Sequence, residues 1–141
     1  MSGLGEALAE AALALVGTRF RLHGRDPATG LDCVGLLAAA LAGNGRPAKA
    51  PTHSALRNRN IASLLEFAAP AGLVDAAGPI EAGDVLLVRT GPAQHHLLIA
   101  APGQGFIHAH AGLRRVVVTP GPLAWPAERH WRLAGKTEEH V

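Results

Sequence analysis

Apolar positions change their period near the middle of the chain. Leu4, Leu8, Ala11, Ala12 and Leu15 recur at helical spacing with Glu6 and Glu10 on another face, which predicts an amphipathic helix over Leu4 to Val16, ended by Gly17. Arg19 to Gly30 turns loop-like in its second half, where Asp26-Pro27 and Gly30 are turn residues. Leu31 to Ala42 is apolar on nearly every side, the pattern of a buried helix, with Asp32 as its N-cap and Gly43 or Gly45 as its stop. Asn44 to Asn60, rich in Pro, Asn, Arg and Lys, reads as an exposed connection before a short helix near Ile61 to Ala69. After Gly72 come short β-compatible runs between Gly or Pro turns: Asp84 to Arg89, His95 to Ala101, Gly105 to His110, Arg114 to Val118 and Arg129 to Leu133. Helices first and strands later predict an α+β fold with the helices packed on an antiparallel sheet.

Composition narrows the function. The chain has 141 residues and 14.5 kDa, the size of one domain, with a core over about 4–135 and a loose polar tail at 136–141. At 48% hydrophobic and 17% charged residues it is too apolar for intrinsic disorder. No run reaches about 18 uncharged apolar residues, and no basic cluster precedes Leu4 to Val16, so neither a membrane span nor a secretory signal is expected. Cytoplasmic synthesis and no membrane partner follow as expectations. Thirteen Lys and Arg against eleven Asp and Glu leave a net charge of +2, too weak a field for nucleic acid, and the absence of Tyr with an aromatic content of 4% leaves few stacking platforms. One cysteine, Cys33, allows no intramolecular disulfide and no multi-cysteine zinc cage.

A cysteine in the first turn of a helix meets unpaired N–H groups and the positive end of the helix dipole, which both favour thiolate. Cys33 fits that description, and it also fits as a small buried apolar residue. A cysteine nucleophile needs a base, and the base needs an orienting partner. His96 heads the apolar run to Ala100, and His108 lies in the next strand, so the two form a relay if the register pairs them. His95 and His96 point to opposite faces, and the apolar run after His96 favours His96. His110 shares a face with His108 and is expected at the rim of the cleft. Asp84 reads as a strand-end or turn residue. Cys33, His96, His108 and His110 also make an alternative zinc set, although no short Cys or His-Glu helical motif anchors it.

Four blocks in this order resemble the NlpC-type cell-wall cysteine peptidases: G-L-D-C-V-G-L-L (Gly30 to Leu37), I-E-A-G-D-V-L-L (Ile80 to Leu87), H-L-L-I-A (His96 to Ala100) and G-F-I-H-A (Gly105 to Ala109). The resemblance runs over roughly 8–119 and includes the twelve-residue step from His96 to His108. It implies a papain-like fold in which Cys33 is the nucleophile, His96 the base and His108 the orienting residue, with no cofactor. Phe20, His23, Asp32, Val34 and His110 are candidates for contacts to substrate or oxyanion. The chain departs from the family pattern at Val34, where Ser is usual, at Leu98, where Gly is usual, and at Phe20, where Tyr is usual. Phe20 cannot hydrogen-bond, so the resemblance implies either weaker activity than is usual in the family or another donor, such as His23, in its place.

The resemblance implies cleavage of peptidoglycan stem peptides, usually between γ-D-glutamyl and diaminopimelate. Without a secretion signal or appended wall-binding domain, the chain is most similar to the compact phage-tail and gene-transfer-agent members, which reach the wall within a particle. A non-catalytic assembly or wall-binding module with the same fold is a further reading, motivated by Phe20 and Val34. A circularly permuted lipid acyltransferase is disfavoured, because there the His precedes the Cys.

Overall fold

A computed structural model describes residues 3–45, 68–92 and 94–134. In chain order the elements are α1 (Gly3–Leu13), β1 (Arg25–Asp26), β2 (Gly30–Leu31), α2 (Cys33–Gly43), β3 (Leu73–Asp75), β4 (Val85–Gly91), β5 (Gln94–Ala100), β6 (Gly105–His110), β7 (Arg115–Pro120) and β8 (Ala127–Leu133). β3 to β8 form an antiparallel sheet in the order β3-β8-β4-β5-β6-β7, and α1 and α2 pack on it. The fold is α+β, as the sequence predicts.

One face of the sheet holds Val85, Leu87, Leu97, Ile99 and Ile107, which meet Leu8 of α1 and Leu36, Leu37 and Leu41 of α2. The other face holds Leu86, Val88, Leu98, Ala100 and Phe106, covered by Leu123 and Trp125 from the connection between β7 and β8. β4 and β5 are therefore buried on both sides, which is why their sequences run apolar without alternating. Leu36, Leu37 and Leu41 are 0 to 1% exposed, and burying each contributes about 1.5–3 kcal/mol. Close approach fixes α2 as well: a Cβ on Gly35 would overlap the Gly24 carbonyl oxygen, so only glycine lets the first turn lie against that segment.

Several boundaries differ from expectation. α1 stops at Leu13 rather than Val16, because the chain beyond it turns to the sheet: Gly17 adopts φ 95° and its N–H donates to the Val116 carbonyl at 2.8 Å. The predicted loop contains a small antiparallel pair, Arg25↔Leu31 and Asp26↔Gly30. β3 escapes periodicity reading, since three residues cannot display alternation, and it is specified by its pairing with β8. The predicted connection from 46 onward, most of the predicted helix near 61–69 and the tail at 136–141 lie outside the described residues. No helix among the described residues is long and apolar enough to cross a membrane.

Asp84 is more than a strand-end residue. Its fully buried carboxylate accepts from Arg132 Nε and Nη2, both at 2.8 Å, and lies 2.6 Å from His130 Nε2, tying the start of β4 to β8. A planar guanidinium gripping both oxygens supplies the geometry that keeps a buried carboxylate ionised. Burial opposes ionisation of Asp84, but the Arg132, Glu81 N–H and His130 hydrogen bonds prevail and hold its pKa below the ordinary value.

Candidate active site

Asp32 organises the start of α2. It is the N-cap, with φ −96° and ψ −170°, and its carboxylate accepts from the Gly35 N–H at 2.9 Å. The same carboxylate accepts from the His23 N–H at 3.0 Å and from Arg25 Nη1 at 2.7 Å. One side chain thus seats both the helix and the 23–25 segment, the capping role read from sequence.

Cys33 is the first residue of α2 and is 9% exposed. Its thiol meets the backbone N–H of Leu97, the residue after His96. The ladder between β5 and β6 contains only Ile99↔Ile107 and Ala100↔Phe106, so Leu97 lies beyond its end. The helix dipole does not win here, contrary to expectation. Desolvation, reinforced by the neighbouring Asp32 carboxylate, pushes the thiol from 9.0 up to about 12, so the resting sulfur is protonated. The Leu97 N–H and Arg25 act in the opposite direction and are outweighed.

His96 and His108 come together: His96 Nε2 lies 2.9 Å from His108 Nδ1, with the rings edge-on at 78°. Continuing the β5–β6 register would set His96 opposite His110, not His108. The pair is therefore diagonal, within reach of long side chains but not the direct pairing that would join them most simply. Desolvation, with lesser contributions from neighbouring histidines, lowers both imidazoles from 6.5 to about 4, so they are neutral at pH 7. His108 Nε2 lies 3.3 Å from Thr119 Oγ1 on β7. If His96 is to accept a proton at Nδ1, its Nε2–H donates to His108 Nδ1, and the His108 Nε2–H donates to Thr119. Thr119 escaped the sequence reading because a threonine in an edge strand carries no local signal; only its position beside β6 reveals it.

The other candidates separate. His95 faces away and meets Glu128, 3.0 Å from Nε2, as the alternation predicts. His110 is half-buried, its ring 5.6 Å from that of His108 and its Nδ1 accepting from the Leu113 N–H at 3.0 Å, so it stands beside the pair. Val34 is buried in the helix-side core. His23 is exposed, with φ 61°, and the donor it gives Asp32 is its backbone N–H. Phe20 is half-buried against the same core as Cys33 and borders a separate cleft with Arg19, Arg21 and Arg114. Among the described residues no three His, Cys, Asp or Glu side chains converge as a metal ion would need, so the four-residue zinc set is not assembled.

Comparison with solved structures finds the same fold elsewhere. NlpC1 from Trichomonas vaginalis superposes with a TM-score of 0.71 at 22% identity, covering 96% of this chain and 46% of that one. The NlpC/p60 domain of the peptidoglycan hydrolase SagA matches with a TM-score of 0.55 at 26% identity, covering 82% of this chain and 88% of that domain. The chain has the fold of the NlpC/p60 domains. The peptidoglycan hydrolase RipB from Mycobacterium tuberculosis is a further match, with a TM-score of 0.59 at 20% identity over 93% of this chain and 65% of that one. The chain spans about half the length of the Trichomonas proteins, 46% and 47%. No protein-family model matches the sequence, and no curated protein does.

Proposed function

We propose that this chain is a cell-wall cysteine peptidase that hydrolyses an amide of peptidoglycan stem peptides, with the γ-D-glutamyl–diaminopimelate bond as its target. The observation that carries the reading is the 2.9 Å His96–His108 contact, set one residue from the backbone N–H that meets the Cys33 thiol. SagA and RipB, both named as peptidoglycan hydrolases, supply the substrate class.

Because thiol and imidazole are both neutral at rest, the Cys33 proton passes to His96 as the sulfur–carbon bond forms. In the first turn Asp32 already takes the Gly35 N–H, and the Cys33 and Val34 N–H groups are those offered to the oxyanion. The His96 imidazolium then protonates the departing amine, and water hydrolyses the thioester. His108 orients the ring throughout. Delivery within a phage-like particle belongs to the same proposal, and co-sedimentation of the chain with such particles tests it.

The buried, protonated thiol favours a second reading, a module that binds wall peptides without cleaving them. Purified protein incubated with peptidoglycan fragments separates the two. The peptidase reading expects new amine from the wild type and at least a hundredfold loss in Cys33→Ser and His96→Ala. Binding without amine release establishes the second reading, and a Cys33→Ser variant at full rate overturns the first.

A further inference from the structure

Two remote segments build a cationic cleft that the proposed chemistry does not use. Arg19, Phe20, Arg21 and Leu22 form one wall, Ala111 and Arg114 the other, around about 610 Å³. Among the described residues no carboxylate lines it and none of the three guanidiniums has an ion-pair partner. In a chain with a net charge of only +2, three guanidiniums around one hollow are a strong local concentration of positive charge.

The backbone beneath these arginines is fixed. The Leu31 N–H donates to the Arg19 carbonyl at 2.9 Å, the Arg21 N–H to the Leu31 carbonyl at 3.2 Å, and the Phe20 N–H to the Arg114 carbonyl at 3.0 Å. On such an extended stretch, Arg19 and Arg21 fall on the same side. Arg114 sits at φ 63°, a conformation that side-chain-bearing residues rarely hold, and the turn over 111–114 keeps it there. Leu22 and Leu113, 51% and 55% exposed, stand as apolar shoulders on the two segments. Guanidinium forks match carboxylates in pairs, so a hollow of this size with three of them suits a short ligand bearing more than one anionic group.

We propose that this cleft is an anion-recognition site whose ligand is a peptide carrying at least two free carboxylates. It thereby selects stem peptides with free α-carboxylates over amidated ones. The identity of that ligand rests on the cell-wall reading; the site itself rests on the three arginines.

Binding is measured by calorimetry with the tripeptide L-Ala-γ-D-Glu-diaminopimelate, the same tripeptide amidated at all three of its carboxylates, inorganic phosphate, and vesicles of anionic lipid. The acid tripeptide is expected to bind about tenfold or more tightly than the amide. Added salt should erase most of that difference. Arg21→Gln and Arg114→Gln should each bring the acid form towards the amide's affinity, whereas Arg89→Gln, whose guanidinium is paired with Glu128, should not. Equal affinity for both tripeptides, or an unchanged preference in both cleft variants, overturns the proposal. So does phosphate bound as tightly as the acid tripeptide, which means a general anion site, or vesicle binding without peptide preference, which means a lipid surface. Discrimination without cleavage leaves the cleft standing and removes the peptidase; cleavage of both forms alike does the reverse.

Discussion

Arg132 grips the buried Asp84 through two hydrogen bonds of 2.8 Å, although 48 residues separate them in sequence. Asp84 is 0% exposed, so its charge depends on partners that water cannot replace. Arg132→Leu is expected to destabilise the domain by about 3 kcal/mol, from loss of one partner of a buried pair. Urea unfolding at pH 7 measures it; a change below about 1 kcal/mol would show that His130 alone suffices.

The His96–His108–Thr119 chain predicts graded effects on turnover. His108→Ala frees the His96 ring to rotate and to adopt the other tautomer, so kcat should fall by about 10²-fold or more with KM little altered. Thr119→Val removes only the last contact and should cost less than tenfold. Equal losses in the two variants would contradict this hierarchy.

The Cys33 thiol should be slow to alkylate. With its pKa moved from 9.0 to about 12, the folded protein holds about 10³-fold less thiolate near pH 8 than the unfolded chain. Iodoacetamide labelling followed by mass spectrometry, native against urea-unfolded, reads this directly. Labelling at equal rates would place the sulfur in contact with water.

Stability should decline on both sides of neutrality. His96 and His108 have native pKa values lowered from 6.5 to about 4, so between those values the unfolded chain binds more protons and stability falls as the pH drops. Asp84, also lowered, adds to the acid limb as the pH falls through its native value. Cys33 acts at the alkaline end: its raised pKa means the native state holds a proton that the unfolded state releases above about pH 9, and stability falls as pH rises. Chemical unfolding at pH 7 and pH 5 checks the histidines, and His96→Asn should flatten the slope between them.

Much of the site was legible because its signals are local. Asp32 one residue before an apolar run announces an N-cap, and the alternation of His95 and His96 assigns them to opposite faces, as found. The pairing of His96 with His108 was legible only as a condition, since β5–β6 register is set by Ile99↔Ile107 and the connection between them. Thr119 and the Asp84–Arg132 pair had no local signature: Thr119 meets His108 from the neighbouring strand, and Asp84, just before β4, meets Arg132 on β8.

By itself the sequence determined the two helices α1 and α2, the later strands β4 to β8, the cap on α2 and the succession of cysteine and histidines, because these depend on side-chain period and on groups a few residues apart. Tertiary structure alone decided the protonation of Cys33, the diagonal histidine contact and the arginine-lined cleft between 19–22 and 111–114. Those properties depend on how much water is excluded and which remote groups replace it, and the packing of distant segments sets both.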